Sequence, residues 1–311
     1  MADGDMALTT LPTTEARHPL SRDFDGMATL AMVRLMNQLD ATIPTVIAEA
    51  LPQIATTVDA IVTTLEEGGR LFYQGAGTSG RLAVLDAAEL LPTFSAPPGL
   101  VVGLIAGGEK AMVRSVEGAE DSPEQGKADL EAHDFSSRDM LIGVAASGRT
   151  PYVLGGLAHA NQLGATTGCI VCNPGSAIAA AARFPIEVVT GPEVVTGSTR
   201  LRAGTATKLV LNMLSTCAMA KLGKVYGNFM VDVQPTNQKL RQRAIRIVDE
   251  ITGVGATEAK TLLEAAEWQV KTAVVMGLAE VDVAEAKSRL AASQGRVREA
   301  VEIVKRENPS A

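Results

Sequence analysis

Apolar positions run in two rhythms along this chain. From Ser21 to about Glu66 they recur at helical spacing: Met32, Leu35, Met36 and Leu39 share one face, Ile43-Pro44 interrupts, and Val46, Ile47, Ala50 and Leu51 resume. After that, short continuous apolar runs alternate with glycine- and serine-rich turns and helical stretches. Arg70–Gln74, Leu100–Ile105, Met140–Ala145, Thr166–Cys172 and Phe184–Thr190 read as five strands. The first leads through Gly75-Ala-Gly-Thr-Ser-Gly80 into a helix from Arg81 to Leu90. The second leads into a helix carrying Val113, Val116 and Glu117. The third leads through Ala146-Ser-Gly-Arg-Thr-Pro151 into a helix containing Leu154 and Leu157. Thr205–Leu222 is a long, nearly all-apolar run, expected as a buried or interface helix. Continuous apolar strands alternating with helices predict an α/β fold whose parallel sheet is covered on both faces.

Residues 1–14 show no periodicity and read as a flexible tail. Beyond Gln238 the strand pattern stops and the chain becomes rich in Ala, Glu and Lys. There Glu258-Ala-Lys260, Leu263, Ala265, Val270 and Ala273-Val274 recur 27 residues later as Glu285-Ala-Lys287, Leu290, Ala292, Val297 and Ala300-Val301. Two copies are too few for a solenoid and predict two similar helix pairs, with Trp268 as their one large core aromatic.

Composition changes this picture in three ways. Apolar residues make up 46% but aromatics only 3%, so Ala, Val, Leu and 29 Gly must do the packing and helices must lie close to their neighbours. A net charge of −7 argues against a nucleic-acid partner, whose phosphates call for clustered Lys and Arg. No apolar run reaches membrane-spanning length, and the acidic start, Asp3 and Asp5, is unlike a signal peptide; a soluble, cytoplasmic protein is expected. Cys169 and Cys172 form a C-x-x-C, yet three residues apart on a strand they face opposite ways and lack two further zinc ligands, so they read as structural. His133 and His159 have no ligand partners at useful spacing, and no metal is expected.

Gly75-Ala-Gly77-Thr78-Ser79-Gly80 fits G-x-G-x-x-G between a strand and a helix, but the second strand ends without the acidic residue that a dinucleotide ribose requires. Its two hydroxyls stand instead where a helix N-terminus favours an anion. A second hydroxyl-rich turn, Ser147-Gly148-Arg149-Thr150, follows the third strand. Either turn alone could be ordinary N-capping; both together point to one phosphate. Glu117, Glu120 and Asp121 would be neighbours on a helix, where mutual repulsion raises a carboxyl pKa, although an exposed acidic turn is the plainer reading of that spacing.

The two turns resemble the sugar isomerase (SIS) fold. Further stretches narrow the resemblance: Thr13-Thr-Glu-Ala-Arg17, Leu85-Asp-Ala-Ala-Glu89, Gly103-Leu-Ile-Ala-Gly-Gly-Glu109, Val116-Glu-Gly-Ala-Glu-Asp121, Cys172-Asn-Pro-Gly-Ser176, Gly191-Pro-Glu-Val-Val-Thr-Gly-Ser-Thr-Arg200 and Lys224-Val-Tyr-Gly-Asn228. In this order, from about residue 10 to the C-terminus, they resemble the N-acetylmuramic acid 6-phosphate etherase family. The chain departs from the family at Leu90-Leu91, usually Cys-Pro, at His18, usually Asn, and at Arg202, usually Lys.

The resemblance implies a three-layer SIS domain over residues 59–222, preceded by a helical segment, 15–58, and followed by a helical, UBA-like module, 239–311. It implies a lyase that releases D-lactate and N-acetylglucosamine 6-phosphate by elimination and hydration, with two carboxyl groups and no cofactor. Glu89 and Glu120 match the catalytic glutamates; Gly77, Thr78, Ser79, Ser147, Gly148, Thr150, Glu193 and Ser198 match substrate-binding positions. The partners implied are the phosphorylated amino-sugar and a second copy in a homodimer. The alternative is a non-catalytic phosphosugar-binding regulator resembling the glucokinase regulatory protein, which has two SIS domains in a far longer chain.

Overall fold

All five expected strands form, because each is a short apolar run that can be buried on both faces. In the computed structural model, which describes residues 12–307 except 234 and 236, α1 (Thr29–Asp40), α2 (Ile43–Glu49) and α3 (Leu51–Glu66) precede the sheet. The strands are β1 (Leu71–Gly75), β2 (Val101–Ile105), β3 (Met140–Val144), β4 (Thr166–Val171) and β5 (Phe184–Glu187). They lie in the order β2-β1-β3-β4-β5, parallel throughout. Between them run α4 (Gly77–Phe94), α5 (Lys110–Val113), α6 (Pro123–Glu131), α7 (Pro151–Gln162) and α8 (Ala177–Ala181), and α9 (Arg202–Met219) follows β5.

Two layers of helices cover the sheet, as expected. Phe72, Leu141, Cys169 and Val171 share a core with Tyr152, Val153 and Leu157 of α7. The alternate residues face the other way, where α3 packs on β1, β4 and β5. Cys172 belongs to a separate cluster with Ala146 and Ala203, so the C-x-x-C pair is split between the faces. Burial pushes both thiols up to about 12. Asp139 ties the starts of β1 and β3 together. Its oxygens accept the Arg70 backbone N–H at 2.9 Å, Arg70 Nε at 3.1 Å and Nη2 at 2.9 Å, and the Ser136 N–H at 2.8 Å.

Several expectations are revised. Residues 1–11 of the proposed tail lie outside the described residues, but Thr13 and Thr14 are held: Thr13 Oγ1 donates to Asn173 Oδ1 at 2.9 Å, and Asn173 Nδ2 donates to Thr14 Oγ1 at 3.0 Å. Hydroxyls bonded to a distant amide leave no hydrophobic periodicity to read. The expected boundary at residue 58 falls inside α3. By contact, the chain divides into Met1–Ala87 with Val102–Leu214 and Ala88–Val101 with Ser215–Ala311. The apolar face of α9 is already buried through Ala203, Ala206, Val210, Leu211 and Leu214, which removes it as a ready interface.

The second unit carries a short antiparallel ribbon, β6 (Val225–Tyr226) with β7 (Phe229–Met230), then α10 (Gln238–Thr252), α11 (Ala256–Ala265), α12 (Val270–Ala279), α13 (Val283–Ala292) and α14 (Val297–Glu307). The 27-residue repeat is structural. It carries α11 onto α13, end for end, and the start of α12 onto that of α14. Even the corners match, with positive φ at Glu267 (53°) and Trp268 (62°) and again at Gln294 (52°) and Gly295 (78°). Trp268 is therefore a corner residue, packed against the edge of this unit's core. It is half-buried beneath the Arg241 guanidinium, 4.9 Å from the ring centre.

Candidate active site

The two hydroxyl-rich turns leave neighbouring strands at matched height, since Gly75 at the end of β1 pairs with Val144 at the end of β3. Both therefore emerge side by side at the carboxyl edge of the sheet, where open α/β folds place ligands. Gly77 opens α4 with φ +53°. A Cβ on Gly80 would stand 2.7 Å from both Gly75 O and Ile105 Cγ1, so only glycine lets the helix start this close to the strands. Thr78 and Ser79 are partly exposed in that first turn, beside N–H groups that have no intrahelical acceptor.

The second turn is shaped by Gly148, buried at φ +69°, where a Cβ would lie 2.3 Å from the Ser176 side chain. Ser147 is partly exposed and its Oγ accepts the Arg149 N–H at 3.3 Å. Thr150 stands at the N-cap of α7 without a side-chain capping bond. Its hydroxyl is thus not committed to capping.

Beside the first turn, a cavity of about 280 Å³ is lined by Ala76, Gly77, Arg81, Ala106, Ser115, Glu117 and Glu120 among others. Arg81 is a site residue that the sequence reading did not single out. Its Nε donates to Met112 O at 3.1 Å, which holds the guanidinium at the cavity wall. A cation one residue past the glycine motif, in the first turns of α4, was the available signal. The expected helix through Glu117 does not form: α5 stops at Val113, Gly118 takes φ +71°, and Glu120 and Asp121 sit in a short 3₁₀ turn, Ala119–Asp121. Glu117 and Glu120 reach the cavity on a loop instead, so their spacing along a helix does not govern them.

Glu89 lies elsewhere. It is exposed on α4, ten residues beyond Ser79, which at a helical rise is about 15 Å along the axis. The Leu90-Leu91-Pro92 departure leaves the helix intact to Phe94, with Leu90 buried and Leu91 exposed.

Glu193 is fully buried, and both its oxygens cap α9: Oε2 accepts the Arg202 N–H and Oε1 the Ala203 N–H, each at 2.9 Å. A sugar contact would have to share an oxygen that already accepts one of these amides. Burial raises its carboxyl above the usual glutamate range, against the pull of those two amides and Arg202. The Arg202 guanidinium reaches Pro192 O (2.9 Å) and Thr42 Oγ1 (2.8 Å), two contacts that need its fork. His18 caps its turn through Nδ1, which accepts the Leu20 N–H at 3.2 Å, a bond that an Asn oxygen would also make. Ser198 is partly exposed in the turn before α9, and that helix approaches the first turn closely: a Cβ on Gly204 would lie 3.4 Å from both Thr78 Cγ2 and Thr199 O. Among the described residues no cluster of three or more His, Cys, Asp and Glu could hold a metal.

Residues 53–161 match the family model of the glucokinase regulatory protein N-terminal SIS domain. A phosphoheptose isomerase structure from Francisella tularensis aligns with 62% of this chain and 100% of its own, at 20% identity and TM-score 0.49. Sequence relatives are far nearer. Proteins named N-acetylmuramic acid 6-phosphate etherase are 55% identical in Streptomyces coelicolor (93% of each chain) and 53% identical in Cronobacter sakazakii (93% of this chain, 97% of the relative). One from Salmonella dublin is 52% identical over 96% of this chain and 100% of its own length. With the SIS architecture, the paired turns and this identity over nearly its whole length, the chain belongs to the N-acetylmuramic acid 6-phosphate etherase family.

Proposed function

We propose that this chain cleaves the D-lactyl ether of N-acetylmuramic acid 6-phosphate, giving N-acetylglucosamine 6-phosphate and D-lactate, as a cytoplasmic step in cell-wall amino-sugar recycling that uses no cofactor. The observation that carries the reading is the meeting of two hydroxyl-bearing turns beside the cavity that holds Glu120 and Arg81. The turns bind the phosphate through Thr78, Ser79, Ser147 and Thr150. The open-chain aldehyde acidifies the proton on carbon 2, and Glu120 removes it. The electrons form the 2,3 double bond as the carbon 3–oxygen bond breaks, and Glu89 protonates the departing lactate oxygen. Water then adds at carbon 3.

Glu89, exposed on α4 ten residues beyond Ser79, serves in this reading the site of a second copy in a homodimer. Leu30 and Val33 on α1, 57% and 53% exposed, offer apolar surface for that association. Release of D-lactate separates this reading from a phosphosugar-binding regulator and from an isomerase. Mixing the two single variants tests the shared site. Glu89→Gln and Glu120→Gln should each lose about 10²- to 10⁴-fold in turnover. Reassorted dimers should recover about a quarter of wild-type activity, because half are mixed and each mixed dimer has one intact site. Mixed dimers without recovery would place both glutamates in one chain.

A further inference from the structure

The second unit contains a cavity lined by none of the residues assigned above to the etherase reaction. It has a volume of about 570 Å³ and opens at the α11–α12 corner, a size ordinary for small-molecule sites, roughly 300–1,000 Å³. Its wall joins an apolar surface to two cations, Arg241 and Lys271, and two carboxylates, Asp232 and Glu267, each of which also pairs with a lysine outside the lining. Val270 and Leu290 are buried at 2% and 9% exposure, and Trp268 presents its half-buried ring.

The charges are incompletely matched. Lys271, its side chain only 13% exposed, lies 3.0 Å from Asp232 Oδ2, and the same oxygen also takes Lys224 at 2.6 Å. One carboxylate therefore answers two ammonium groups. Glu267 does not restore the balance, since it pairs with Lys287 at 3.5 Å. Arg241 lies over the Trp268 face and has no carboxylate partner among the described residues. Burial pushes the Lys271 ammonium below the ordinary lysine range, with Asp232 opposing and Lys224 adding to the shift. An anion in the cavity would relieve that imbalance, because charge-assisted bonds to Arg and Lys are strong in a partly desolvated site.

We propose that this cavity binds a small organic oxyanion, held between Arg241 and Lys271, with its hydrocarbon part against Val270 and Leu290. A phosphate ester and a carboxylate share this chemistry, and the assay distinguishes them. Trp268 is the one tryptophan of the chain and lies in the cavity wall, so its emission reports occupancy directly.

The full-length protein would be titrated separately with inorganic phosphate, with N-acetylglucosamine 6-phosphate and with D-lactate. The expected result is a saturable change in Trp268 emission with the phosphate probes or with the carboxylate. Arg241→Gln, at an exposed position, and Lys271→Met should each weaken it at least about tenfold. Ser79→Ala, in the phosphate turn of the first unit, should leave it unchanged. The proposal is overturned if no probe gives a saturable change, or if Arg241→Gln, with its circular dichroism intact, leaves the change in place. It is equally overturned if Ser79→Ala abolishes the response, which would place the ligand at the catalytic phosphate turn.

Discussion

Replacing Glu193 by Gln asks whether this carboxylate holds the fold or the sugar. Its two oxygens receive the first two amides of α9, each at 2.9 Å. Gln keeps the shape and one acceptor, but turns an NH₂ group towards the second amide. A charge-assisted hydrogen bond is worth about 1.5–3 kcal/mol net, and the variant is also relieved of a buried charge. We therefore expect Glu193→Gln to be about 1–2 kcal/mol less stable at pH 7, read from urea unfolding, with KM for the phosphorylated sugar unchanged. The pH dependence adds a sign. Burial raises this carboxyl above the roughly 4.3 of an unfolded glutamate, so folding takes up a proton between the two values. Wild type should gain on the variant as the pH falls through that interval. A variant within about 0.5 kcal/mol of wild type whose KM rises tenfold would refute the capping argument and return Glu193 to the sugar.

Asp139→Asn should show the opposite pH signature. Burial pushes the Asp139 carboxyl up, but the bonds from Arg70 and Ser136 outweigh it and hold it below the usual aspartate range. Its stabilisation, about 2–3 kcal/mol, is present above pH ~4 and lost as the pH falls through the folded value; a gap between the two proteins that stays constant into acid would contradict this. Ser79→Ala and Ser147→Ala should chiefly raise KM, and an unchanged KM in both would remove the phosphate from these turns. Arg81→Gln should weaken substrate binding by about tenfold or more if its guanidinium faces the bound anion, as steady-state kinetics would show. Chelators should leave activity intact; loss with EDTA and rescue by a metal would reveal ligands that no spacing disclosed.

What the chain spells out locally is what could be read from it. The strands were legible because β1, β3 and β4 are buried along nearly their whole length, and a fully buried strand is one apolar run. The 27-residue repeat predicted two similar helix pairs because the same apolar residues, Ala259 and Leu263, then Ala286 and Leu290, face the core in both copies. The turns were legible through their glycines. The region after β2 was not: Gly118 breaks a plausible helical spacing with a positive φ, and Glu120 reaches its cavity by a loop whose path is set by tertiary contacts. The capping bonds of Glu193 were hidden for a similar reason. A capping residue is ordinarily sought next to the helix it caps, and this one arrives from nine residues upstream. The remote position of Glu89 followed from helix geometry alone, once α4 was seen to run unbroken.

The split C-x-x-C has a practical consequence for chemical labelling. Burial pushes the Cys169 and Cys172 thiols up to about 12, so at pH 7 both stay in the unreactive thiol form. Both are buried, whereas Cys217 is exposed. An alkylating dye added to the folded protein should therefore attach at one position. Full modification would need denaturant, and the ratio of one to three labels would then count unfolded molecules without any change to the sequence.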